Sequence, residues 1–132
     1  MAKELEKAQE ELAALDLSFF GTLLNYRGGL NIILNNMAED EVIKDMTTGI
    51  CKRVTYIMGA TDSQILCGCK PMVGKEKEMV FSLSDLASVT LKSSFFLGHN
   101  IIIKTKSGAE HKFNSDDKKA TTRFVNSAAA LL

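Results

Sequence analysis

The residues with the clearest capacity for chemistry are two closely spaced cysteines, Cys67 and Cys69. They lie in a segment typical of a β-strand, where alternate residues point to one face. Cys51, His99 and His111 could complete a set of zinc ligands. However, zinc-binding cysteines are normally separated by two to four residues, and the sequence has no second pair. Buried cysteine is also a common small apolar residue. We therefore predict neither a metal site nor a cofactor.

A glycine-containing loop and the serines suggest two further kinds of chemistry. The segment GCKPMVGKE resembles a phosphate-binding loop, but five residues rather than four separate Gly68 from Gly74. Glu76 stands where a serine or threonine would bind magnesium, and the loop joins two predicted strands rather than a strand and a helix. The sequence has no nucleophile elbow of the form G-x-S-x-G. We therefore predict no catalytic residues and no enzymatic activity.

Five basic residues are the candidates for binding an anion, and they form two small groups: Lys52 and Arg53, and Lys70, Lys75 and Lys77. Glutamates interrupt the second group, and two or three positive charges make only a weak anion site. The whole chain has 16 basic and 16 acidic residues, so no overall positive field attracts nucleic acid. We expect no nucleic-acid partner and keep lipid-headgroup binding at a membrane as the weaker alternative.

Three large apolar residues, Phe95, Phe96 and Leu97, stand between two strand-like segments at a point where the chain must reverse. A hairpin tip of this composition exposes apolar surface unless something covers it. The N-terminal helix has an apolar stripe that also needs a partner, formed by Leu5, Leu12, Leu15 and Phe19. We predict that the tip and the N-terminal helices bury one another, within one chain or between the chains of an oligomer.

The elements that position these residues fall into two regions. Residues 1–36 read as a helical appendage with helical stretches at 2–15 and 18–26, broken by the glycines of RGG at 27–29. Residues 37–132 read as seven short strands followed by a helix. The predicted strands cover 41–50, 51–60, 64–69, 79–83, 87–93, 99–106 and 109–113. The final helix has an apolar stripe of Ala120, Phe124, Ala128 and Leu131. The fold class is therefore α+β, a seven-stranded antiparallel barrel or sandwich whose open end is covered by a C-terminal helix, preceded by N-terminal helices.

The segment 39–131 resembles the short bacterial pleckstrin-homology (PH) domains of the YokE-like kind. The resemblance rests on the acidic start EDEVI and on FSLSDLASVTLKSSFFLG. In the second stretch the matching positions are Phe81, Leu86, Ser88, Val89, Lys92 and Gly98. Three positions differ from the family pattern: Gln64 replaces an arginine, Ser82 a proline and Ser94 a glycine. The resemblance implies a PH-like barrel, mostly of unassigned function, without catalysis.

The predicted function is that of a non-enzymatic interaction or scaffold module that binds another protein or itself. The N-terminus lacks the apolar segment of a secretory signal, and no apolar run approaches the roughly 20 residues of a membrane helix. The odd number of cysteines, three, argues against a disulfide framework. Together these features predict a cytoplasmic protein.

Overall fold

Seven antiparallel strands form one sheet in the computed structural model, which describes residues 3–17 and 24–132, with Leu24 and Asn25 described by their backbone alone. The described helices are α1 (Leu5–Ala14), α2 (Leu24–Asn35) and α3 (Lys118–Ala129). The strands are β1 (Asp45–Cys51), β2 (Val54–Ala60), β3 (Gln64–Cys69), β4 (Lys77–Ser82), β5 (Leu86–Ser94), β6 (Gly98–Thr105) and β7 (Glu110–Ser115). A short 3-10 turn, Leu83–Asp85, joins β4 to β5.

The strand order is β4-β3-β2-β1-β7-β6-β5, so β4 and β5 are the two end strands. The sheet nevertheless curls around a single core, because Phe81 on β4 and Val89 on β5 belong to the same buried cluster. We call this cluster the inner core. It also contains Phe113 and, from α3, Phe124 and Ala128. The predicted PH-like arrangement of seven strands and a closing C-terminal helix is confirmed.

Helix α3 has a capped N-terminus and is linked to the sheet by an ion pair from its middle turn. Its N-cap residue, Asp117, accepts a hydrogen bond from the backbone N–H of Ala120 at 3.0 Å. Further along, the Nε of Arg123 donates to both carboxylate oxygens of the buried Asp45 on β1, at 2.8 and 3.0 Å. Leu131 does not belong to the buried stripe as predicted, because the helix ends at Ala129 and Leu131 is exposed.

A second buried cluster, the outer core, lies on the other face of the sheet. Ile57 on β2 and Leu66 on β3 point away from the inner core and pack with Leu12 of α1 and Leu30 and Ile33 of α2. The neighbours of Ile57 along β2 belong to the inner core, so this strand is apolar on both faces. The N-terminal helices therefore cover a face of the sheet rather than standing apart from it.

The glycines of RGG do not break a helix, contrary to the prediction, because α2 runs through them to Asn35. A Cβ on Gly29 would lie 2.8 Å from the carbonyl oxygen of Gly68, and one on Gly68 would lie 2.5 Å from that of Gly29. Glycine costs a helix interior about 1 kcal/mol relative to alanine. Here it allows α2 and β3 to approach closely. The predicted stretch 18–26 lies mostly outside the described residues.

The β1–β2 connection differs from the prediction, which placed Lys52 and Arg53 within a strand. The structure places them in a two-residue turn with φ of 49° and 68°. Such left-handed angles fit the tight turn of a β-hairpin, which glycine and asparagine more often form. Both basic side chains therefore stand at the end of the hairpin, exposed to solvent.

Candidate functional site

The hairpin between β5 and β6 ends in three exposed apolar residues, which we call the apolar tip. Phe95, Phe96 and Leu97 are 95%, 89% and 71% exposed. The two aromatic rings contact each other edge to face, with centroids 5.1 Å apart and planes at 83°. The chain reverses at Gly98, whose φ of 78° is costly for other residues. The side-chain amide of Asn114 donates to the carbonyl oxygen of Leu97 at 2.6 Å, which ties the tip to β7.

Because the apolar tip is exposed, its side chains do not contribute the free energy that their burial would provide. Burying a side chain of this size contributes about 1.5–3 kcal/mol. Monomeric proteins seldom expose contiguous apolar side chains without a role in binding. The ring contact and the hydrogen bond from Asn114 also give the tip a definite shape. The tip is therefore a candidate contact site with a preformed geometry.

The N-terminal stripe does not cover the tip within one chain. Leu12 is fully buried in the outer core, and Leu5 is partly buried against it. Leu15 follows the end of α1 and is 45% exposed. Because the stripe packs against α2 and the outer face of the sheet, the predicted mutual burial within one chain is wrong. Burial between two chains stays a prediction, and Phe19 lies outside the described residues.

Three connections meet at one end of the sheet, which we call the loop end. The pairing of Ile57 with Gly68 places the end of β3 beside the start of β2, and so beside the β1–β2 turn. Ile50, near the end of β1, pairs with Asn114, which holds the carbonyl of Leu97. The β1–β2 turn, the β3–β4 loop and the apolar tip are therefore neighbours.

All five predicted anion-binding residues lie at the loop end and are exposed: Lys52, Arg53, Lys70, Lys75 and Lys77. They are divided between two connections of the sheet. In the second, Glu76 stands between Lys75 and Lys77, and Glu78 follows Lys77. Glu78 accepts a hydrogen bond from the side-chain amide of Asn36 at 2.8 Å, so it stays near the loop. The arrangement gives the loop end scattered positive charge rather than a pocket that converges on one anion.

A second exposed apolar pair lies in the β3–β4 loop and was missed by the sequence analysis. Met72 and Val73 are 103% and 91% exposed. The segment KPMVGKEKE reads as a polar loop because lysines and glutamates surround the pair. The detectable signal was two consecutive apolar residues directly after Pro71, in a connection with no strand or helix pattern to bury them. The loop end thus has two apolar projections.

The cysteines and histidines are not gathered into one site. Cys51 and Cys67 are buried in the inner core, and burial, with a smaller effect of Cys51, raises the pKa of the Cys67 thiol far above its ordinary value. His99 contacts the Ser93 hydroxyl at 2.8 Å, whereas the His111 ring packs against Phe81. Within residues 3–17 and 24–132, no group of three or more histidine, cysteine or acidic side chains could hold a metal ion.

A polar network anchors the segment before β1 to the turn between β2 and β3. The amide of Gln64 donates to both carboxylate oxygens of Glu41 at 3.0 and 2.9 Å, and the hydroxyls of Thr61 and Ser63 also donate to this carboxylate. Burial by itself raises the pKa of Glu41, but the hydrogen bonds outweigh it and lower the pKa below its ordinary value. Gln64 supplies neutral donors where the family pattern has an arginine, so the network is structural.

Comparison with protein families decides the identity of the β-rich part. The family model described as "Bacterial PH domain" matches residues 37–129. The chain belongs to the bacterial PH domain family. The family assignment made from the sequence is thus confirmed, while the finer YokE-like assignment stays a prediction. Among curated proteins, none matches this bacterial PH domain protein significantly.

Two solved structures share the fold at low sequence identity. One is the C-terminal domain of an unknown protein from Leishmania infantum, with a TM-score of 0.53 and 7% identity over 69% of this chain and 84% of the other. The other is the hSac2 domain from the human phosphoinositide phosphatase Sac2, with a TM-score of 0.50 and 15% identity over 93% of this chain and 79% of the other. At these identities the likeness shows the fold alone.

None of the helices described in this bacterial PH domain protein combines the length and the apolar character that crossing a bilayer requires.

Proposed function

We propose that this bacterial PH domain protein is a non-enzymatic interaction module that binds a protein partner through the apolar tip of its loop end. The observation that carries the proposal is the apolar tip, in which three consecutive large apolar side chains are each more than two-thirds exposed. Residues that dominate protein–protein binding are often aromatic, rigid and fully buried in the complex. Phe95 and Phe96 are aromatic, and their rings contact each other in the free chain.

The remaining features of the domain support binding rather than catalysis. The thiol of Cys67 is buried and its pKa is raised, which makes it a poor nucleophile. The carboxylate of Glu41 is occupied by hydrogen bonds that hold its pKa low, which makes it a poor general base near neutral pH. The apolar tip is an exposed surface whose burial would be energetically favourable, and a partner that covers the tip would provide that burial.

Capture from a native lysate tests the proposal with three forms of the full chain: wild type, Phe96→Asp and Met72→Asp. Both substitutions place a carboxylate on a fully exposed apolar residue of the loop end, so Met72→Asp is the matched control. We expect wild type and Met72→Asp to capture the same protein, and we expect Phe96→Asp to capture none of it. The captured protein can be a different protein or further copies of this chain. Equal capture by all three forms would show that the tip is not the binding surface.

A peripheral lipid-binding function is the second candidate, because Lys52, Arg53 and Lys70 stand at the same end as the apolar projections. Basic side chains beside exposed apolar ones suit an anionic lipid surface. Their number is small and Glu76 offsets part of their charge. We therefore expect little sedimentation with phosphatidylserine-containing vesicles at physiological salt. Strong sedimentation that is abolished by Lys52→Glu with Arg53→Glu would favour lipid over protein.

A further inference from the structure

None of the strands described in residues 3–17 and 24–132 pairs with the outer edge of β5. Strand β5 pairs with β6 on one side and is the last strand of the sheet on the other. A long, flat, uncharged edge is a template for another strand. The other end strand, β4, is shorter and begins with the charged residues Lys77 and Glu78. In β5, Lys92 is the one charged residue among nine. The edge of β5 is therefore the one better suited to accept a strand.

The sequence of β5 is compatible with pairing to itself. In a two-fold antiparallel pair over the full strand, the midpoint Thr90 stands opposite the same residue of a second copy. This register places Lys92 opposite Ser88 in both directions and brings Ser94 near Leu86, where a register shift between Leu86 and Ser88 interrupts β5. Directly opposed like charges destabilise a pair of strands, and here each lysine meets a serine. A second copy thus fits the edge without repulsion.

The same register determines where the apolar tip lies. The tip follows Ser94 directly, so it extends just past Leu86 of the second copy, beside the turn that joins its β4 to its β5. A cavity in that corner is lined partly by apolar side chains, Val80, Phe81 and Leu86. Its other lining residues are polar or charged and include Asp85 and Lys106. The aromatic pair of each copy would meet the cavity of the other.

We infer that two copies of this chain associate by antiparallel pairing of their β5 edges, with each apolar tip inserted into the other copy's β4–β5 corner. The inference rests on the proposed function, of which it names the partner. It combines three features: the outer edge of β5, the exposed aromatic pair and the partly apolar cavity beside Leu86. A bilayer would contact the tip but would leave the edge and the corner unoccupied.

A charge exchange on β5 tests this register. The mass of the full chain is measured by light scattering across the micromolar range for wild type, Ser88→Lys, and Ser88→Lys combined with Lys92→Ser. The single variant opposes two lysine pairs across the two-fold axis, so we expect its dimer dissociation constant to rise about tenfold. The double variant again opposes lysine to serine, and we expect it to restore the dimer. Both variants place the lysine at position 88 beside Lys104 of their own chain. Any repulsion between these two lysines is therefore the same in both variants and does not affect their comparison.

Phe96→Asp is expected to run as a single chain, and unchanged melting temperatures show that each variant is folded. The inference is overturned if wild type has the mass of one chain at about 100 µM, well above the range typical of specific dimers. It is also overturned if Phe96→Asp dissociates the dimer while Ser88→Lys does not, because the tip would then act without the edge. If wild type is a single chain whose tip captures another protein or a vesicle, the inference fails while the tip keeps its role as the binding surface.

Discussion

The chain has two large apolar surfaces outside the inner core, and they are treated in opposite ways. The outer face of β1 to β3 is covered by α1 and α2, and its residues Ile57 and Leu66 are buried. The apolar tip is left exposed by the described part of the chain, although its side chains are larger. Because the chain has helices able to cover apolar surface and places them elsewhere, the exposure of the tip points to binding rather than to incomplete packing.

Removal of the covering helices should produce the largest effect. Deletion of residues 1–36 uncovers the outer face, including Ile43, Met46 and Ile57. We expect the truncated chain to bind a hydrophobic dye strongly and to aggregate at concentrations where the full chain does not. A truncated chain that stays soluble, without extra dye binding, would mean that the helices do not protect this face.

A single substitution in the covered region should have a smaller but clear effect on stability. Leu12→Ala leaves a cavity in the outer core and should lower the free energy of unfolding by about 2–5 kcal/mol. Leu15→Ala is the matched control, because Leu15 is next to the same helix but about half exposed. Chemical denaturation of both variants measures the difference. Equal losses would show that α1 is not packed as described.

Acid should weaken the anchoring network at the opposite end of the sheet from the tip. The pKa of Glu41 is lower in the folded chain than its ordinary value of 4.5. Its contribution to stability is therefore present above about pH 4.5 and is lost as the pH falls through the lower, folded-state pKa. We expect Glu41→Gln to lose less stability than wild type between pH 7 and pH 3 in denaturation experiments. An identical loss of stability in wild type and Glu41→Gln would show that this carboxylate does not contribute to the pH dependence of stability.

The smallest effect on stability should come from the uncovered region. Phe96→Asp removes only the solvent-exposed contact with the ring of Phe95, so the free energy of unfolding should change by no more than about 0.5 kcal/mol. The same variant is expected to abolish association, which separates binding from folding. A large loss of stability on denaturation would instead mean that the tip packs within its own chain, and the contrast between the two surfaces would disappear.

Much of the fold was predictable because its signals are local. Each of the seven strands follows an alternating or continuous apolar pattern between turn residues, and the C-terminal helix has a regular apolar stripe. The incorrect predictions concern features that depend on contacts with residues elsewhere in the chain. Gly29 looks like a helix breaker until Gly68 is placed against it, and Lys52 and Arg53 look like strand residues until the turn is seen.

The candidate site was only partly predictable for a related reason. The composition of Phe95 to Leu97 marks the tip as unusual, but composition does not tell which apolar surface the N-terminal stripe covers. That choice depends on β2 and β3 being apolar on both faces, and continuous apolar runs such as Ile65–Cys67 leave open whether a strand is covered once or twice. The meeting of three connections at the loop end depends on the strand order, which local patterns do not specify.

The link between Asp45 and Arg123 has a consequence for how the chain is made. The two residues are 78 positions apart, so the first strand meets its charged partner only after the residues between them have been synthesised. Until then the ribosome holds a set of strands whose inner face has no helix to close it. Contacts between residues so far apart in sequence also slow folding. Closure of the inner face by α3 should therefore be a late step in the folding of the domain.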